Sequence, residues 1–204
     1  MKAILISDHA KWCALMMNGI KKAEIRKGTA LYRATQKLIE ENGYAEFYVY
    51  CTKGKQGIFK ERHNGYTLLN QNKWIQSEMN GKVIFKFRCY KVEELKTCER
   101  HSAELIDQSC LSANEFYDYL TKGKNFLGQV LGCAIHISNL EIFDKPKELS
   151  EFYLGFRNNY YKREFGLDTH IDKYDVLVQP TKNGYEYTNK LTKAPQNFCY
   201  VEVE

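Results

Sequence analysis

The stretch "NGIKKAEIRKG", Asn18 to Gly28, decides how this chain reads. Five of its eleven residues are ionisable, and its apolar positions are Ala23 and two isoleucines. From Lys21 onward the pattern has period two: Lys21, Ala23 and Ile25 alternate with Lys22, Glu24 and Arg26. Period two means a strand, here with Ala23 and Ile25 turned inward. Glu24 and Arg26 then share a face with Lys22, and Lys21 points the other way unless Gly19 or a bulge re-aims it. Either Glu24 and Arg26 form a structural ion pair beside a solvated Lys21, or the three residues are gathered at a site.

Working outward, "KAILIS" (2–7) is a short apolar run rich in β-branched residues and reads as a buried strand. Asp8 is placed to cap a helix on which Trp12, Leu15 and Met16 share a face, and Asn18-Gly19 ends it. "TALYRATQKLIEENG" is a second helix. Thr29 is its cap, Leu31, Ala34 and Leu38 are its apolar stripe, and Asn42-Gly43 is its stop. "EFYVYCT" (46–52) is a strand, and Asn64-Gly65 marks a hairpin. "KVIFKFRCYKVEEL" (82–95) reads as one long strand, and Ser112 with Glu115 makes a capping box that opens a helix closed by Gly123. "VLGCAIHISNLEIFD" (130–144) is a strand pair or one bent strand, and "DKPKELSEF" is a turn into a short helix or extended arm. "FCYVEVE" closes the chain as a strand. Five to seven strands with short interrupting helices make an α+β protein, a small mixed or mostly antiparallel sheet or barrel, without βαβ alternation.

At 204 residues the chain is one ordinary domain, residues 1–204, long enough to bury a core. Apolar residues make up 44% and prolines number three, which argues against global disorder. The net charge of +5 suits an anionic partner and equally a solvated basic surface. Seven cysteines, an odd number with no signal peptide ahead of them, favour free thiols in a cytoplasmic setting. Cys98 and His101 have CxxH spacing but lack a second ligand pair, so no metal is expected. No cofactor signature appears either: there is no Walker loop and no GxGxxG. Ser7, His9 and Cys13 form no nucleophilic triad with a carboxylate. No apolar run is long enough to span a bilayer.

The segment "GIKKAEIR" (19–26) has the form G-x-K-x-x-E-x-R, and "HAKWCALMMNG" before it places Lys11-Trp12 at the opening of a helix. Together these resemble the signature of the ASCH domain, a branch of the PUA-like superfamily. "FYVYCTKGK" and "GKVIFKFRCYKV" are similar to the barrel strands that follow it. "HISNLEIFDKPKELSEF" and the ending "PQNFCYVEVE" resemble phage- and prophage-encoded ASCH proteins of low-GC bacteria. The likeness covers 1–28, 46–53, 80–95, 110–152 and 194–204, and leaves 29–42 and 155–193 as elaborations.

The resemblance implies a PUA-like β-barrel with short flanking helices and a cleft beside the motif. It implies binding of RNA or a nucleotide. Some family members are amidohydrolases of N4-acetylcytidine in which the motif lysine is catalytic, and ribonuclease activity occurs in the family. Lys21 matches that lysine, while Glu24 stands where those enzymes have a threonine. They also use a downstream glutamate, for which Glu93, Glu94, Glu99 and Glu104 are candidates.

The residue chemistry fits these readings. Lys21 can hold a phosphate, or act as base or nucleophile if desolvated. Glu24 can orient Lys21, accept from a base's exocyclic amine, or take a proton. Arg26 can bind phosphate or pin Glu24. Trp12 is either core or a stacking platform. Tyr50, on the strand face opposite Phe47 and Val49, can stack on a base for about 1–3 kcal/mol. Lys11 and Lys53 are candidate contacts to the ligand's charge. His136, in an apolar run, reads as a satisfied core residue.

The expected ligand set is therefore Lys11, Trp12, Lys21, Glu24, Arg26, Tyr50 and Lys53, with Lys21 and Glu24 catalytic if the protein is an enzyme. The expected partner is RNA, a nucleotide or a modified nucleoside. A hydrolase of modified nucleosides or a ribonuclease is the alternative. A further alternative is a phage–host interaction factor, with the aromatic and basic 155–193 segment as its protein contact.

Overall fold

A computed structural model describes residues 2–53, 79–96, 99–121, 130–154, 178–181, 184–187, 191 and 193–202. The fold is mixed α+β. The strands are β1 (Lys2–Asp8), β2 (Ala23–Lys27), β3 (Ala45–Cys51), β4 (Val83–Cys89), β5 (Val92–Lys96), β6 (Val130–His136), β7 (Ser138–Lys147), β8 (Tyr153–Leu154), β9 (Val178–Thr181), β10 (Gly184–Tyr187) and β11 (Phe198–Glu202). The helices are α1 (Ala10–Met17), α2 (Thr29–Asn42), α3 (Ala103–Ser109) and α4 (Ala113–Thr121), with a 3-10 turn at Leu149–Glu151.

Six strands form one sheet in the order β7-β4-β3-β1-β11-β8, and three form a second in the order β2-β6-β5. β1 lies in the middle of the larger sheet, parallel to β3 and antiparallel to β11. Its Ala3, Ile4, Leu5 and Ile6 are fully buried because both faces of the sheet are covered. On one face Ile4, Ile6, Phe47, Val49, Phe85 and Phe87 pack with α1 and α2 and meet Cys133 and Ile135 of the smaller sheet. On the other, Leu5, Tyr48, Tyr50 and Val83 pack under Phe152, Leu191 and Val201. A third cluster joins the outer face of the smaller sheet to α3 and α4 through Ile25, Leu95, Leu105, Phe116 and Leu120.

The expected long strand at 82–95 is instead two, β4 and β5, one in each sheet. Of the two readings of 130–144, the strand pair is the one found, as β6 and β7 broken at Ile137. The two breaks coincide, since β4 pairs with β7 and β5 with β6. An antiparallel ribbon thus turns a corner from one sheet to the other. Hydrogen bonds at the corner fix it: Cys89 Sγ to Lys91 O and His136 N–H to Lys91 O. Among the described residues the strands do not close into a barrel.

Both helix starts near the motif differ from expectation. Thr29 is the first residue of α2, and Gly28 (φ +83°) precedes it without a side-chain cap. Asp8 ends β1, and His9 takes the position before α1. α2 buries Leu31, Ala34 and Leu38 as its stripe requires, and Gly43 ends it. Ser112 and Glu115 form their capping box on α4. α3, capped by Ser102, was not expected. β9 and β10 pair antiparallel, with Gly184 opposite Thr181. The Asn64-Gly65 hairpin, Gly123, Cys98 and most of 155–193 lie outside the described residues. No helix among the described residues is long and apolar enough to cross a membrane.

Candidate functional site

The strand pattern left Lys21 facing away from Glu24, and the backbone between α1 and β2 reverses that. Gly19 adopts φ +68°, a conformation that favours glycine. The amides of Ile20 and Lys21 both donate to Leu15 O. Regular alternation therefore begins only at Ala23. Lys22 is exposed and Lys21 is turned inward, 3% exposed.

Three of the motif's side chains then meet. Lys21 Nζ donates to Ser109 O at 2.7 Å and lies 3.3 Å from Glu24 Oε2. It also sits over the Trp12 ring, 4.9 Å from its centroid. Arg26 Nε is 2.6 Å from Glu24 Oε1, and Nη2 donates to Ser7 O at 2.8 Å. The fourth member is one that the sequence reading assigned to a cap: Asp8, whose Oδ2 is 3.3 Å from Arg26 Nη2. Arg26 thereby links the end of β1 in the larger sheet to β2 in the smaller one.

These residues form part of the wall of a cleft of about 460 Å³. Ser7 and Asp8 reach it from β1, His9 from the residue before α1, Trp12 from α1, Thr52 from just past β3 and Tyr119 from α4. Residues 194–196 complete it, pinned by the Ser7 hydroxyl donating to Pro195 O at 2.8 Å. The volume falls in the range of small-molecule sites, as does the mixture of ring faces and a few polar groups.

The charges in the cleft are held unequally. Burial raises the Glu24 carboxyl, but Lys21 and Arg26 outweigh it and bring it below its ordinary value. Asp8 has only one cation close by. Burial and then the neighbouring Glu24 push its carboxyl up to about 7, although Arg26 and Lys21 oppose the shift. Asp8 Oδ1 accepts from the His9 amide at 2.9 Å, while the buried Oδ2 receives no hydrogen bond among the described residues. Burial raises the Tyr119 hydroxyl, with Arg26 acting against it.

Of the expected ligand set, Trp12, Lys21, Glu24 and Arg26 come together. Lys11 is exposed beside them, its Nζ 5.0 Å from the Trp12 ring centroid. Tyr50 does not reach the cleft, because it is buried in the cluster on the far face of the larger sheet. Lys53 also falls outside the lining: its stem lies against Gly81. None of Glu93, Glu94, Glu99 and Glu104 lines the cleft. Glu93 instead pairs with His136 at 2.5 Å and Lys91 at 2.9 Å, so His136 is partnered but half-buried rather than core. No group of three or more metal-ligating side chains gathers among the described residues. Asp8 and Tyr119 are the residues that sequence reasoning missed.

No family model and no curated protein matches the chain. Among solved structures it is similar to the N-terminal domain of Staphylothermus marinus McrB, at 8% identity over 72% of this chain and 76% of that one, with a TM-score of 0.39.

Proposed function

We propose that the chain is an RNA- or nucleotide-binding module of the ASCH, PUA-like type, and that the cleft between β1, β2, α1 and α4 is its ligand site. One observation carries this reading: Lys21, Glu24 and Arg26, distant from Trp12 in register, converge with it on one cleft. That cleft also holds the ring of Tyr119. Ring faces with a polar floor suit a planar heterocycle, which stacks on the rings and is read along its edge. The corner-turning β4–β7 and β5–β6 ribbon supports a PUA-like arrangement, because it wraps two sheets around one core.

The test is exposure of the full chain to nucleosides, modified nucleosides, nucleotides and short RNAs. Thermal shift and mass spectrometry of retained ligand give the readout. A retained nucleotide, lost in Lys21→Ala while that variant stays folded, supports the site. Retention unchanged in Lys21→Ala refutes it.

A hydrolase is the second reading, and Asp8 favours it. A carboxyl pushed up to about 7 suits general acid–base chemistry, and Asp8 lines the cleft where none of Glu93, Glu94, Glu99 and Glu104 does. Lys21 and Glu24 would be the other acting groups. New product in the same incubations, absent with Asp8→Asn, would carry that reading. The protein-contact alternative rests on 155–193, which lies mostly outside the described residues.

A further inference from the structure

Arg26 is the most exposed of the four charged groups in the cleft, at 12% against 3% for Lys21, 7% for Glu24 and 6% for Asp8. Its Nε lies against Glu24 without a hydrogen bond, and its Nη2 donates to Ser7 O and stands 3.3 Å from Asp8 Oδ2 as an ion pair only. Its Nη1 donates to no described residue, and it is not among the buried polar atoms that lack a partner. One edge of the guanidinium is thus unused and reachable, and the planar fork is suited to an oxyanion. Lys21, by contrast, already faces Ser109 O, Glu24 and the Trp12 ring and is the more buried of the two cations.

Asp8 controls what that edge meets. With Asp8 ionised, the two cations and two carboxylates cancel. With Asp8 protonated, the same quartet carries one net positive charge. We infer that the cleft anchors the phosphate of its ligand on Arg26 and that Asp8 takes up a proton as the anion binds. The inference rests on the nucleotide reading above, and it names the group anchored and its proton linkage. The buried Oδ2, which receives no hydrogen bond, is where the proton resides, and the anion's field favours it there. That Asp8 titrates near 7 puts the exchange within the neutral range.

The groups facing Asp8 are known from every packed element. Glu24, Arg26 and Lys21 come from β2 and its approach, Tyr119 from α4, Cys13 from α1, and Cys51 stands opposite Asp8 in register on β3. His9, next in the chain, lies 3.1 Å from Thr52 Oγ1 and is the other titratable side chain of that wall.

The test is calorimetry on the full chain with a dinucleoside monophosphate, whose phosphodiester keeps its single charge throughout, and with the parent nucleosides. Buffers of different ionisation enthalpy count the protons. The affinity for the diester should fall about tenfold between about pH 6 and about pH 8, with uptake of a fraction of a proton near neutrality. The nucleosides should show no such slope, and inorganic sulfate should compete with the diester. Asp8→Asn, neutral at every pH, should bind the diester at the wild-type acid-limb affinity throughout and take up no proton.

The inference fails if the diester binds the wild type without proton uptake, a result that needs no variant. It fails if the slope persists in Asp8→Asn, since His9 or another group would then own it. It also fails if sulfate cannot displace a bound diester. Nucleoside binding with no advantage for the diester at low pH overturns this inference and leaves the proposed function standing. Binding of neither overturns both.

Discussion

The ammonium of Lys21 donates to the backbone carbonyl of Ser109 at 2.7 Å, across a separation of 88 residues. That bond ties the segment leading into β2 to the end of α3. The same ammonium faces the Glu24 carboxylate at 3.3 Å. Lys21 is therefore a tether as well as a candidate ligand contact. Removing one member of a buried ion pair leaves the other uncompensated. Lys21→Ala should lower unfolding stability by about 2–4 kcal/mol in urea titration. A loss below about 0.5 kcal/mol would mean that the bond to Ser109 O and the pair with Glu24 hold nothing together.

Asp8 and Glu24 should move stability with pH in opposite senses. The Asp8 carboxyl is raised, from 3.8 to about 7. Its contribution is complete below about pH 4 and is lost as pH climbs through about 7. Asp8→Asn should therefore gain melting temperature relative to wild type between about pH 5 and about pH 8.5, by roughly 5–10 °C for about 3 kcal/mol. A difference between the two proteins that stays constant over that range would contradict the raised value.

Glu24 is lowered below its ordinary 4.5 because Lys21 and Arg26 overcome its burial. Its contribution is present above about pH 4.5 and is lost as pH falls through the folded value. Glu24→Gln should be clearly less stable than wild type at neutral pH, and the gap should narrow in acid. Chemical denaturation at three pH values checks this. A gap that widens in acid is the opposite of the expected sign.

Gly132 on β6 sits against the site strand. A Cβ there would collide with Arg26 O and come within 2.9 Å of Leu120 Cδ2. The first contact is backbone and cannot swing aside. Gly132→Ala should force β2 and β6 apart, lower stability by roughly 2 kcal/mol, and shift the Arg26 side-chain resonances. An alanine variant as stable as the parent would show that β2 has room to move.

Much of the site could be read in the sequence because strand alternation is a local property. Ala23 and Ile25 face the core as period two requires, and Glu24 and Arg26 face the cleft. Lys21 required a departure from that period, and the glycine at 19 supplied it. Asp8 was misread because a polar residue between a strand and a helix normally caps, and here His9 takes the capping position. Tyr50 was misread because alternation separates two faces without saying that both are covered; Phe152 and Leu191 cover the second. The stretch 82–95 was read as one strand because β4 and β5 are separated by only two residues, whereas a break or bend within 130–144 was legible. Tyr119 lies on a helix whose start was legible, but which of its residues meets the cleft depends on tertiary packing.

The central claim is that the motif's cleft holds a nucleotide, and the Trp12 indole is its built-in reporter. The most direct measurement is a proton–nitrogen NMR titration of the indole N–H signals with a dinucleoside monophosphate. Trp74→Phe would assign the Trp12 signal. The account predicts a saturable shift of the Trp12 signal that is absent in a folded Lys21→Ala variant. A Trp12 signal that stays fixed while ligand binds elsewhere, or that shifts identically without Lys21, would contradict it.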